Sequence, residues 1–124
     1  MSQPRTHLVE KGQSPRKDRP VAVADIIRFE ASMKYVVAHT EGGEYLLNDT
    51  LTSLATEFSD RFFPIHRTHL VERSRVVAIV PGNDSIRKFV VMSGVPVPIP
   101  IARRSYRLLL QQFPHLKTDK QPPQ

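Results

Sequence analysis

The chain has 124 residues, with 18 Lys and Arg against 12 Asp and Glu for a formal charge of +6, which suits one basic globular domain too short for two well-packed cores side by side. It contains no cysteine, which excludes a disulfide framework, a thiolate metal site and a cysteine nucleophile, and fits the reducing cytoplasm. No run approaches the roughly 18 apolar residues of a membrane span, and Met1-Ser2-Gln3-Pro4-Arg5 lacks the form of a signal peptide, so no membrane partner is expected.

Residues 1–5 read as a flexible tail, 6–113 as the folded domain and 114–124 as a disordered tail ending Gln121-Pro122-Pro123-Gln124. Thr6 to Glu10 has the makings of a first strand, and Gly12, Ser14 and Pro15 mark a turn after it. A second strand begins near Arg19 and runs through Val21 to Glu30. After a break at Ala31-Ser32-Met33 the β-branched pattern resumes from Lys34 to Thr40. Glu41-Gly42-Gly43-Glu44 is a hairpin turn leading into Tyr45-Leu46-Leu47. The period then changes: Leu51, Leu54, Ala55 and Phe58 recur at helical spacing and predict a short amphipathic helix over 50–59, with Asn48 or Asp49 as its cap.

From Phe62 to Arg73 an apolar run is interrupted by His66-Arg67-Thr68-His69. A half-buried strand alternates apolar and polar residues, so these four together are assigned to an exposed turn. Further strands are expected at Arg75 to Val80 and Arg87 to Met92, separated by the turn Pro81 to Ser85 and followed by one at Ser93-Gly94. In Val95-Pro96-Val97-Pro98-Ile99-Pro100-Ile101 three alternate prolines lack donors on the same side, which restricts the segment to a sheet edge. A last helix over 103–113 places Tyr106, Leu109, Leu110 and Phe113 on one face and is stopped by Pro114. Eight or more short strands, two short helices and no long repeat make a mainly β protein of stacked antiparallel sheets or a sandwich. No helix-turn-helix pattern is present.

Charge is segregated along the chain. Between Tyr35 and Asp60 there is no Lys or Arg, while Glu41, Glu44, Asp49, Glu57 and Asp60 all fall there. A polyanion-binding face with an acidic back has this distribution. Three cationic loci stand out. Arg103, Arg104 and Arg107 crowd the start of the last helix, where free amides and the macrodipole already supply positive potential, and a bound anion would relieve that conflict. Arg67 has no apolar stripe to join, and His66 beside it reads as a side chain that holds the loop's shape. Ser32, Lys34 and Tyr35 bring phosphate donors to the break between two strands.

These loci carry a resemblance. Phe29-Glu30-Ala31, Lys34-Tyr35-Val36, Gly42-Gly43, Thr50-Leu51, Phe63-Pro64-Ile65-His66-Arg67-Thr68-His69-Leu70-Val71 and Ile99-Pro100-Ile101-Ala102-Arg103-Arg104 follow the order of the LytTR DNA-binding domain, over roughly residues 6–113. The chain resembles the output domain of a bacterial response regulator of the AlgR-like group. The resemblance implies elongated stacked antiparallel β-sheets with two short helices (LytTR-like), loops that enter successive major grooves, and double-stranded DNA as the partner. By position it implies base contacts at Lys34, Arg67 and Arg104, and backbone contacts at Ser32, Tyr35, Thr68, Arg103 and Ser105, to which the crowded helix start adds Arg107 as a backbone contact. It implies no cofactor, no metal and no catalysis. Family regulators carry a receiver domain for which this length leaves no room, so the chain is expected to be an excised effector domain or a stand-alone regulator served by a separate sensor system. Repeated DNA sites would accommodate a dimer. The family often has Ser where Ala102 stands and Asn where Glu72 stands.

Two other readings use different residues. His39, His66 and His69 with Asp25 or Glu30 are the raw material of a metal-dependent enzyme, although no phosphate loop, nucleophile elbow or metalloprotease helix accompanies them. The edge strand Val95 to Ile101 offers a protein-interaction surface that its prolines blunt.

Overall fold

Adjacent residues of a strand point to opposite faces of a sheet. Ile26 and Ile27, Phe62 and Phe63, and Leu70 and Val71 are all buried, and each pair divides between two separate apolar clusters. A sheet that is covered on both sides satisfies all three pairs at once. The computed structural model describes residues 4–10, 19–84 and 86–116. Its strands in chain order are β1 (His7–Val9), β2 (Pro20–Ala22), β3 (Ile26–Ser32), β4 (Tyr35–Thr40), β5 (Gly43–Leu47), β6 (Phe62–His66), β7 (His69–Glu72), β8 (Val76–Pro81), β9 (Lys88–Met92) and β10 (Ile99–Ile101). The helices are α1 (Leu51–Glu57) and α2 (Arg103–Gln112), with 3-10 turns at Val23–Asp25 and Arg73–Arg75.

The central sheet has the order β5-β4-β3-β7-β6, flanked by a β1-β2 pair and a β10-β9-β8 sheet. All of the paired strands are antiparallel. One apolar cluster joins Leu8, Val21, Phe29, Phe62 and Leu70 to Leu54 and Phe58 from α1 and the residue after it. The other joins Phe63, Ile65 and Val71 to Ile79, Val90 and Ile99 of the three-stranded sheet and to Leu109 and Phe113. The mainly β, stacked antiparallel architecture agrees with the sequence reading. The single core does not: a shared central wall lets this length support two clusters.

Several boundaries differ for identifiable reasons. The stretch read as one strand from Arg19 to Glu30 is broken by the 3-10 turn at Val23–Asp25, which carries the chain from the small sheet into the central one. The cap of α1 is Thr50, whose hydroxyl accepts from the Ser53 N–H at 3.1 Å, whereas Asp49 is engaged by Arg5 at 2.9 Å. That pairing, with Arg5 also on Glu57 at 2.7 Å, fastens a residue assigned to the flexible tail. His66 and His69 are not turn residues but the last of β6 and the first of β7, and only Arg67–Thr68 turns.

The expected edge strand from Val95 shrinks to β10, which does lie at a sheet edge. Leu116, placed in the disordered tail, is 4% exposed in the second cluster and closes the end of α2. The turn at Gly12, Ser14 and Pro15, residues 1–3 and the remaining tail from 117 lie outside the described residues.

Candidate nucleic-acid interface

Hairpin register assembles the site. Ser32 pairs with Tyr35 across the two-residue turn Met33–Lys34 that joins β3 to β4. His66 pairs with His69 across the turn Arg67–Thr68 that joins β6 to β7. Since β3 and β7 are antiparallel neighbours with Glu30 opposite His69, both turns leave the same end of the sheet. The Ala31 N–H donates to the Thr68 carbonyl at 2.9 Å and ties them together. With adjacent strands about 4.8 Å apart, the two turn centres are about 10 Å apart.

The start of α2 joins the same row. The Ala102 N–H donates to the Ile65 carbonyl at 2.9 Å, and the Ser105 hydroxyl donates to the Pro64 carbonyl at 3.2 Å. These bonds hold the first helical turn beside β6, just short of the Arg67–Thr68 turn. Ala102 caps the helix with no side-chain hydrogen bond, so Arg103 and Arg104 stand at an amide end with unfilled donors. The three predicted loci are thus brought together, in the order Lys34, Arg67, Arg103-Arg104.

The cations in this row are distinguished by what they lack. Arg5, Arg19, Arg28, Arg61, Arg75 and Arg87 each have a carboxylate within 4.0 Å. Arg73 donates to Gln112 at 2.6 Å and lies over the Phe63 ring. Among the described residues Lys34, Arg67, Arg103, Arg104 and Arg107 have no such partner, and all five are exposed. An exposed cation with no protein acceptor keeps its full charge and its donors for a ligand.

His66 shapes the middle turn. Its Nδ1 accepts from the Thr68 N–H at 3.2 Å and lies 2.9 Å from the Thr68 hydroxyl. Nδ1 can accept only in the neutral ring carrying its proton on Nε2. Burial, with Arg67 adding to it, holds the His66 pKa below the ordinary histidine value and favours that neutral ring. Behind it His69 is buried, its ring 5.7 Å from that of His66, and its Nδ1 has no partner among the described residues. Burial likewise pushes the His69 pKa down.

On the same sheet face His39 bonds Glu30 at 2.9 Å and Arg28 reaches Glu30 at 3.3 Å. Burial pushes the Glu30 carboxyl up, but the His39 hydrogen bond and the Arg28 charge outweigh it and leave the pKa below the ordinary value. The histidines of the enzyme reading therefore do gather, yet among the described residues no three His, Asp or Glu are placed to hold a metal ion.

One cation in this region went unnoticed in the sequence. Lys88 opens β9 opposite Ile101, two residues before α2, and its Nζ lies 5.8 Å from the centre of the Tyr106 ring. With Ile86, Arg87, Ile101 and Arg103 these residues line a cleft of about 330 Å³. Only β9–β10 pairing reveals the proximity.

A fold of antiparallel sheets with hairpin turns and a helix start aligned as a cationic row has the form of a polyanion-binding module. The family model of the LytTr DNA-binding domain matches residues 16–113, and the chain belongs to that family. The positive alginate biosynthesis regulatory protein of Pseudomonas aeruginosa is 36% identical over 75 residues, which cover 60% of this chain and 29% of that protein. The chain spans less than a third of that relative's length. A LytTr DNA-binding domain from Bacillus cereus superposes with a TM-score of 0.72 at 18% identity, covering 86% of this chain and 95% of that one, and shares its fold.

Proposed function

We propose that this DNA-binding domain recognises specific double-stranded sites through the Lys34–Arg67–Arg104 row, as the transcription-regulating output module of a bacterial response regulator acting in the cytoplasm. The observation that carries this reading is the alignment of two hairpin turns and a helix start whose cations have no carboxylate partners among the described residues. A major groove about 12 Å wide admits a two-stranded ribbon, and the β3–β4 hairpin has that form. Arginine can grip guanine O6 and N7 with two donors, which assigns base contacts to Arg67 and Arg104, and Lys34 can reach the same acceptors.

Arg103 and Arg107, with the hydroxyls of Ser32 and Tyr35, take the phosphate backbone, while the Thr68 hydroxyl donates to His66 Nδ1 at 2.9 Å and fixes the turn. Ser105 has its proton committed to the Pro64 carbonyl and serves by aligning α2. A receiver domain or sensor supplied outside this chain, and two copies on repeated sites, complete the proposal.

Selection of tight binders from random duplexes, followed by fluorescence anisotropy at rising salt, tests it. Enriched duplexes should bind at least about a thousandfold tighter than random ones. Affinity should fall with a slope near −0.9 per phosphate neutralised when plotted logarithmically. A flat salt response, or no preference among duplexes, overturns the reading.

A further inference from the structure

The tip of the β3–β4 hairpin breaks two rules of local structure in one residue. Met33 has φ of 55°, in the left-handed region where a side chain with Cβ is disfavoured and glycine is the usual occupant of such a hairpin position. The other positive φ values among the described residues belong to Gly43 and Gly94. Met33 is also 100% exposed, whereas the next most exposed large apolar side chain, Ile86, is at 69%. An isolated exposed apolar residue is ordinary. One held in a disfavoured backbone well, at the apex of a ribbon beside Lys34 and in line with the Arg67 turn, marks a position where stability has yielded to contact.

We infer that Met33 is a specificity-determining residue that packs its thioether chain against the 5-methyl group of a thymine in the major groove. This rests on the proposed interface. A ribbon tip that enters the major groove meets four kinds of base edge, and the thymine methyl is the apolar feature among them. Methionine is unbranched and polarizable, so it can follow that methyl without a preset rotamer. Lys34, its neighbour, supplies a donor for an adjacent guanine. A thymine beside a purine acceptor at this end of the site is the sequence preference such a pair would impose.

The experiment replaces each thymine of a selected duplex, one at a time, by deoxyuridine, which removes only the methyl group and leaves every hydrogen bond intact. The wild-type protein should lose about fourfold in affinity at one thymine per bound copy, the worth of one buried carbon. Met33→Gly, which suits the positive φ, should bind the unmodified duplex about fourfold more weakly and show no further loss at that position. Lys34→Ala should weaken binding yet keep the deoxyuridine effect. Met33→Asn, also tolerant of this φ, serves as the second variant should the glycine variant melt early. Equal deoxyuridine sensitivity in wild type and both Met33 variants overturns the inference, as does an absence of sensitivity at every thymine, while the interface survives in either case. Failure to prefer any duplex overturns both.

Discussion

The two ends of the central sheet are both closed by hairpins, yet one leaves its cations unpaired and the other neutralises them. At one end the turns Met33–Lys34 and Arg67–Thr68 present cations with no carboxylate in reach among the described residues. At the other, β4 turns into β5 through Glu41–Gly42, and Glu72 at the end of β7 accepts from Arg61 at 2.6 Å and Arg75 at 3.1 Å. Arginine is abundant at both ends, so its presence alone is not informative. What separates an arginine spent on the fold from one left open to a ligand is whether the fold supplies it with an acceptor. Antiparallel pairing achieves the separation: each strand runs from one end to the other, about 20 Å for the six residues of β4.

The contrast can be broken by substitution. On a selected duplex Arg67→Ala and Arg104→Ala should each cost about 1 to 3 kcal/mol, and less on random DNA, when titrated by anisotropy. Equal losses on both duplexes would reassign them to phosphate. At the opposite end Glu72→Ala strands two guanidinium groups and should lower folding stability by about 1 to 2 kcal/mol in urea, with no change in the DNA affinity of the folded protein. A matching fall in affinity would mean that the two ends are not independent.

Acid should act on the histidine pair behind the middle turn. His66 and His69 have pKa values below the unfolded value of about 6.5. The unfolded chain therefore binds more protons as pH falls past that value, and the folded state loses stability from there down through the folded pKa values. Denaturation midpoints at pH 7.5 and 5.5 should show the loss, and His69→Phe should reduce it. The smallest expected changes concern the rim and the tip. Lys88→Gln should flatten the logarithmic salt slope by about 0.9 if that side chain meets a phosphate. Met33→Gly should raise stability by up to about 1 kcal/mol through relief of the left-handed backbone, against its loss of DNA affinity.

Much of the candidate interface was legible because hairpin turns announce themselves locally. Ser32-Met33-Lys34-Tyr35 breaks two β-branched runs, and Arg103-Arg104 follows the proline segment that ends at a helix start. The role of β6 and β7 was harder to read. Phe62-Phe63 and Leu70-Val71 have no alternation because both faces of their sheet are covered, so a rule for half-buried strands pushed His66 and His69 out into the turn. Lys88 and Leu116 were missed since nothing near them in sequence signals a partner. Lys88 meets Tyr106 through strand pairing, and Leu116 meets its cluster only after the turn that follows α2.

By itself the sequence determined which segments are largely strand or helix, where most of the hairpin turns fall and which residues have charge to offer, because propensity, period and turn chemistry act over a few neighbours. Which cations would be neutralised and which left free was decided by the tertiary structure. Glu72 and Arg61, or Arg5 and Glu57, become partners only when strand register and helix packing bring distant segments within 4 Å. The same register lines up Lys34, Arg67 and Arg104 beyond the reach of any carboxylate among the described residues.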